Sequence, residues 1–194
     1  MSLGPGPLKA ATPAGWAAVA LADFDAFLRD HAACERKAAA LCLSFVAKYL
    51  EHPFVVEPMI SVAREELEHF QQVFRILTRR GLSPGKDEKD PYVKGLQAVM
   101  RHTEDGRLLD RLVVSALIEA RSCERLELVA EALVDPELKD FYATLARVEA
   151  GHYKVFLKIA ERFFDKETVA VAVDRLATAE AAVMLATPWR AAVH

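Results

Sequence analysis

Apolar side chains recur every three or four residues along most of the chain, which is the spacing of one face of an α-helix. Four long segments have this pattern, and prolines or glycines separate them. The predicted core helices cover about 23–50, 54–80, 108–133 and 136–163. No run alternates between polar and apolar residues for long enough to predict a β-strand. The pattern therefore predicts an all-α fold.

Shorter segments flank and connect these helices. A Thr-Pro step at residues 12–13 predicts the start of a short helix before the first core helix. The segment 81–106 is polar and broken, with room for a short helix at 92–102, and it is long enough to run from one end of a bundle to the other. An alanine-rich helix is expected at about 166–186. We expect one domain over residues 1–194, with its core at 23–164.

Composition limits the function without defining it. The 194 residues include 53% hydrophobic residues, enough for a substantial core, and no apolar run approaches the length of a membrane helix. The first nine residues resemble no secretory signal, and the three cysteines suggest no disulfide framework. A reducing cytoplasm is the expected location. The formal net charge of -3 argues against a general nucleic-acid coat but allows a local basic patch.

Each core helix has an acidic residue on the face that is otherwise apolar. In two helices a histidine follows the glutamate by three residues, so that both side chains can converge on one point. The six residues are Glu35, Glu66, His69, Glu119, Glu149 and His152. The same arrangement occurs twice, because each half of the chain has one helix with Glu and a second with Glu-x-x-His.

Four buried carboxylates that face one another would repel and would each cost several kcal/mol, roughly, unless they were paired. Two divalent cations balance the four negative charges, and two neutral imidazoles complete the ligand set. This is the ligand pattern of dinuclear carboxylate sites in ferritin-like four-helix bundles. The predicted fold is therefore a ferritin-like four-helix bundle with a long crossover between its second and third helices and extra terminal helices. Oxygen-rich ligands favour iron, with manganese second, over zinc.

Other side chains near these positions have less specific interpretations. A single Glu-x-x-His is usually a solvated pair, and only its duplication favours a metal site. Four nearby acids point away from the inner face and are expected to be surface charges or partners of the ligands: Glu65, Glu68, Glu124 and Glu127. Glu65 with His69 is a weaker alternative pair. His31 is expected to be a core residue or to support a ligand, and Cys123 to fill the core or to line a pocket.

Four strings of residues resemble one family within this class. They are D-H-A-A-C-E-R-K-A at 30–38, R-E-E-L-E-H-F at 64–70, I-E-A-R-S-C-E-R at 118–125 and E-A-G-H at 149–152. Together they resemble the MiaE-type tRNA hydroxylases, and the third string is the most specific. The resemblance covers about 21–164.

The resemblance implies a di-iron monooxygenase that uses dioxygen to hydroxylate the isopentenyl group of a modified adenosine in tRNA. It implies that the six residues above are the iron ligands. Because the chain has no flavin or iron–sulfur motif, electrons are expected from an external donor such as a ferredoxin and its reductase. Five basic residues near the metal-bearing turns are candidate tRNA contacts, although surface charge or pairing with acids explains each equally well: Arg36, Lys37, Arg64, Arg121 and Arg125.

Two other functions remain open on the sequence. One is iron oxidation or peroxide scavenging of the ferritin or rubrerythrin kind, although no C-x-x-C pair for a rubredoxin-like iron is present. The other is a bundle in which metal ions have only a structural role. Fold alone does not separate these functions.

Overall fold

A computed structural model describes residues 6–194, except for the side chain of Asp105; residues 1–5, and what was expected of them, lie outside this range. Within it the chain forms eight α-helices and no β-strand, so the all-α prediction is confirmed. The helices are α1 (Trp16–Ala22), α2 (Phe24–Lys48), α3 (Pro53–Arg79), α4 (Pro91–Ala98), α5 (Glu104–Ala132), α6 (Pro136–Glu149), α7 (His152–Phe163) and α8 (Lys166–Ala186).

The helices belong to two compact units. The two-helix unit comprises Val19–Glu88 and Arg190–Val193, and it contains α2 and α3. Among the described residues, the five-helix unit comprises 6–18, Lys89–Trp189 and His194, and it contains α4 to α8. One domain over the whole chain remains a prediction.

Local signals explain the ends of α2 and α3. The Asp23 carboxylate accepts a hydrogen bond from the backbone N–H of Ala26, which caps the first turn of α2. Gly81, at φ +71°, follows the last turn of α3 in the left-handed conformation that glycine adopts without strain. The N–H of Leu82 donates to the carbonyl of Leu77, which completes a Schellman cap.

The five-helix unit uses the same device at three helix starts. Aspartate carboxylates cap α4, α6 and α8 by accepting backbone N–H groups of the first turn, and these residues are Asp90, Asp135 and Asp165. Proline occupies the first position of α4 and α6, where no intrahelical N–H bond is lost. The bounds of α8 agree with the predicted 166–186.

One predicted helix is wrong. The segment 136–163 forms two helices, α6 and α7, because the regular hydrogen-bond ladder is interrupted between Glu149 and His152. Gly151 donates to the carbonyl of Val148, and its own carbonyl accepts from Lys154, so three-residue turns replace the α-helical spacing. Glycine weakens a helix interior, and Gly151 was the local signal for this break.

Candidate metal centre

Three of the predicted ligands lie together in the two-helix unit. Glu35 is on α2, Glu66 and His69 are on α3, and their ligand atoms lie within 4.8 Å of one another. The three residues are only 6%, 1% and 5% exposed. The hairpin of α2 and α3 therefore presents two carboxylates and one imidazole at a single buried point.

His31 contacts this group directly. Its Nε2 lies 2.7 Å from Oε1 of Glu35, one helical turn away, and the residue is fully buried. His69 approaches the other oxygen, with Nδ1 3.7 Å from Oε2 of Glu35. Burial alone would raise the pKa of Glu35, but the hydrogen bond with His31 and the nearby His69 imidazole lower it by more, so the pKa lies well below its usual range. Glu35 is therefore held as a carboxylate between two imidazoles.

The five-helix unit contains the matching group. Glu119 is on α5, Glu149 ends α6 and His152 begins α7, and their ligand atoms again lie within 4.8 Å of one another. All three residues are buried. The Nδ1 of His152 lies 2.7 Å from Oε2 of Glu149, so the break between α6 and α7 does not separate this pair.

Small side chains surround the ligand glutamates. The buried alanines one turn from a ligand glutamate are Ala32, Ala39, Ala63, Ala116 and Ala146. Each of the four ligand glutamates therefore has a small buried side chain one turn away on its own helix.

The donor set fits divalent metal ions. Each unit supplies two carboxylates and one imidazole, so one divalent cation would be balanced by two negative charges. Buried carboxylates require such compensation, and oxygen-rich sites with one imidazole per metal suit iron or manganese. Zinc sites typically use fewer oxygen and more histidine or cysteine ligands.

Cys123 lies one turn beyond Glu119 on α5. Its thiol is buried and donates to the carbonyl of Ala146, with an Sγ to oxygen distance of 3.3 Å. Burial, with added repulsion from Glu127, raises the pKa of the Cys123 thiol to about 12. The residue is therefore a neutral, hydrogen-bonded core side chain.

Two of the five predicted tRNA contacts are corrected by their burial. Arg121 is 0% exposed and Arg125 is 3% exposed, which leaves neither guanidinium available to a phosphate. Arg121 donates two hydrogen bonds to the buried carboxylate of Glu180 on α8, at 2.8 and 3.0 Å. Arg125 stacks over the ring of Trp16 at 4.8 Å, and burial lowers its pKa to about 10.

This buried network also uses residues that the sequence did not single out. Thr12 donates to the Glu124 carboxylate from its N–H and its hydroxyl, at 2.9 and 2.7 Å, instead of capping α1. Tyr92 donates to Glu180 at 2.9 Å. Glu180 follows Leu176 by four residues, so both lie on the buried face of α8. An acid at an apolar position of the helical pattern was the sequence signal that could have predicted a buried ion pair here. Glu124, with 23% of its side chain exposed, is therefore a partner of Arg121 and Thr12.

Replacing Arg121 with alanine should lower the free energy of unfolding by about 3–5 kcal/mol, because it leaves Glu180 buried without its cation. Denaturant unfolding of the protein measures this change. Arg147→Ala, at an exposed arginine on α6, should change stability by less than about 0.5 kcal/mol. Adding Glu180→Gln to Arg121→Ala should recover part of the lost free energy of unfolding. If Arg121→Ala were as stable as Arg147→Ala, the Arg121–Glu180 pair would not stabilise the fold as we expect.

The other three basic candidates are exposed and belong to the two-helix unit. One nitrogen of Arg36, Nη2, donates to both carboxylate oxygens of Asp87, at 2.6 and 2.7 Å. Lys37 lies 3.5 Å from the carbonyl of Glu88, and Arg64 lies on the outer face of α3. These three side chains are exposed and can reach a binding partner.

Comparison with known proteins identifies the family. The family model described as "tRNA-(MS[2]IO[6]A)-hydroxylase (MiaE)" matches residues 6–194. A Pseudomonas putida protein named tRNA 2-(methylsulfanyl)-N(6)-isopentenyladenosine(37) hydroxylase is 43% identical over 169 residues, which are 87% of this chain and 82% of that protein. A Salmonella typhimurium protein of the same name is 38% identical over 108 residues, which are 56% of this chain and 40% of that protein.

A solved structure is similar over almost the whole chain. It is described as "Protein 43 with aldehyde deformylating oxygenase activity from Synechococcus" and has a TM-score of 0.89, 36% identity and coverage of 96% of this chain and 94% of that one. The fold and the buried glutamate–histidine groups define an all-α protein of the ferritin-like class. Within that class, the chain belongs to the MiaE family of tRNA hydroxylases.

Among the described helices, none combines the length and the apolar character needed to cross a bilayer.

Proposed function

We propose that this protein is a di-iron monooxygenase that hydroxylates the isopentenyl group of a modified adenosine in tRNA. The observation that carries the proposal is the pair of buried Glu, Glu, His groups in a chain of the MiaE family. The same activity is named for the relative from Pseudomonas putida.

The residues proposed to hold the two iron ions are Glu35, Glu66, His69, Glu119, Glu149 and His152. Iron bound there would supply the dioxygen chemistry that carboxylates and imidazoles lack. His31 is a positioning residue in this proposal, because its contact fixes one oxygen of Glu35 and leaves the other to face His69.

The net reaction needs two electrons from outside the chain. One oxygen atom of dioxygen enters the carbon–hydrogen bond of the substrate, and the other leaves as water after two electrons and two protons are added. We propose a ferredoxin-type donor with its reductase as the source of these electrons. Two buried rings near the ligands would help to exclude water: Phe156 lies one turn after His152 on α7, and the ring of Phe27 lies 6.0 Å from that of His31.

The substrate base must reach this buried site, and an adenosine in a folded tRNA would have to leave its stack to do so. A net charge of -3 implies that a few local contacts hold the tRNA and that binding weakens as salt rises. Arg36 and Lys37 are the basic residues we propose for these phosphate contacts. Asp87 competes with phosphate for Arg36, which would keep the contribution of that residue modest. The cytoplasm, where tRNA is present, is the proposed location.

The decisive experiment supplies iron-loaded protein with a reductant, dioxygen and tRNA that contains isopentenylated adenosine. We expect the hydroxylated nucleoside in the tRNA digest, with one oxygen atom from labelled dioxygen in the product. Metal-free protein from the same preparation is the matched control and should give no product.

Two competing reactions are measured in parallel. A long-chain aldehyde tests the deformylating oxygenase activity of the similar Synechococcus protein, and hydrogen peroxide tests the scavenging function. Rapid loss of aldehyde or steady consumption of peroxide, with the tRNA unchanged, would contradict the proposed function. A protein that binds iron but performs none of the three reactions would favour a structural role for the metal.

A further inference from the structure

The outer face of α3 has a row of exposed apolar side chains. Ile60, Leu67 and Phe74 follow one another at intervals of seven residues and are 41%, 47% and 42% exposed. Side chains seven residues apart lie on the same side of a helix, and this spacing is typical of helices that pack along a seam with another helix. Single exposed apolar residues are ordinary, but three that recur on one side of the same helix indicate a contact surface.

Charged side chains follow one edge of this row. In chain order they are Glu57, Arg64, Glu68 and Arg75, and all four are exposed. At 100° per residue they lie on the same side of the apolar row, spread over about 27 Å of the helix. Their charges alternate from negative to positive. In a helix that runs in the opposite direction, the same four residues therefore present the opposite charge at every position.

The charged edge of α3 is therefore complementary to the same edge of a second, antiparallel copy of the helix. A two-fold axis perpendicular to both helices brings the same edge of each helix together. Glu57 of one copy then meets Arg75 of the other, and Arg64 meets Glu68, so four ion pairs form. The four ion pairs are two copies each of 57 with 75 and of 64 with 68. In both combinations the two residue numbers have their midpoint at 66, beside the central apolar residue Leu67.

We propose that the protein forms a homodimer through antiparallel contact of α3 from two copies. Leu67 packs against its counterpart at the two-fold axis, and Ile60 of each copy packs against Phe74 of the other. The ion pairs lie at the rim, where they contribute mainly to direction and register. This inference does not depend on the proposed enzymatic function.

The charge pattern favours a second copy over RNA as the occupant. The edge of the row contains two acids and two bases, so it has no excess positive charge to attract phosphates. Only one of the three apolar residues is aromatic, which leaves a single platform for base stacking. Arg64 is therefore assigned to a protein interface, and Arg36 and Lys37 remain the candidates for tRNA.

Sedimentation measurements of the purified full chain over a range of concentrations test the proposal. The wild-type protein should sediment as a dimer, with twice the 21.5 kDa mass of the chain. Leu67→Glu places two like charges at the axis and should raise the dissociation constant at least about a hundredfold. Leu185→Glu is the matched control, because Leu185 is 60% exposed on α8, and it should remain dimeric.

Charge exchange tests the direction of the contact. Arg64→Glu and Glu68→Arg should each weaken the dimer about tenfold, because each creates like-charge pairs across the axis. The double variant restores opposite charges and should return to within about threefold of the wild type. Far-ultraviolet circular dichroism confirms that each variant keeps its helical content.

A monomeric wild-type protein at the highest soluble concentration would overturn the proposal. So would a Leu67→Glu protein that remains dimeric, or a double charge exchange that fails to restore the dimer. If the wild type is monomeric and Leu67→Glu weakens tRNA binding, the row is an RNA surface and the dimer proposal is wrong.

Discussion

Replacing Glu119 with alanine should abolish the pairing of iron ions and reduce hydroxylation of tRNA by about a thousandfold or more. The substitution removes one of the two carboxylates in the glutamate–histidine group of the five-helix unit. The nearby thiol of Cys123 donates to the carbonyl of Ala146, and this hydrogen bond would have to break before the sulfur could bind a metal ion. It is therefore a poor replacement for the lost ligand. Metal ions supply several kcal/mol of transition-state stabilisation, and about 1.4 kcal/mol corresponds to a tenfold change in rate.

Glu124→Ala is the matched control for this variant. Glu124 is on the same helix and has the same charge, but its carboxylate accepts hydrogen bonds from Thr12 and pairs with Arg121. Its loss should leave about two iron ions per chain and lower stability by about 1–3 kcal/mol. Iron analysis and single-turnover assays of both variants make the comparison. If Glu124→Ala lost the iron while Glu119→Ala kept it, the assignment of Glu119 as a ligand would be wrong.

Cells that lack the gene for this protein should contain isopentenylated adenosine in their tRNA but none of its hydroxylated form. The reason is that the proposed reaction inserts oxygen into an unactivated carbon–hydrogen bond, which has no appreciable uncatalysed rate at ambient temperature. Mass analysis of tRNA nucleosides from cells with and without the gene measures the effect.

Complementation makes the cellular result specific. A copy of the wild-type gene should restore the hydroxylated nucleoside, a copy with Glu124→Ala should restore most of it, and a copy with Glu119→Ala should restore none. Normal levels of the hydroxylated nucleoside in the deletion strain would show that another protein performs the reaction in that cell.

The sequence predicted the helices well because their signals are local. Apolar residues at helical spacing identified the core helices, and the alanine-rich helix expected at about 166–186 agrees with the bounds of α8. The buried position of all six predicted ligands follows from the same periodicity, since an acid in phase with an apolar face must point inward.

One failure overlooked a local signal, and the other concerned packing between residues distant in the sequence. Gly151 stands inside a periodic segment, and periodicity alone could not show that the hydrogen-bond ladder is interrupted there. Arg121 lies about 200° around α5 from Glu119, on a face that a four-helix pattern leaves to solvent. In the five-helix unit that face contacts Glu180 of α8 and Thr12, so this candidate tRNA contact is instead paired with a buried acid, an alternative that the sequence left open.

The central claim is that these six residues hold two iron ions, and Mössbauer spectroscopy of the reconstituted protein tests it most directly. The purified chain is loaded anaerobically with ferrous iron-57 and then exposed to dioxygen, with the iron content measured in the same sample. We predict about two iron ions per chain and the spectrum of a coupled diferric pair, as expected for a doubled carboxylate and histidine ligand set. One tightly bound zinc ion per chain with no coupled iron, or iron bound only as isolated ions, would contradict the assignment of the site.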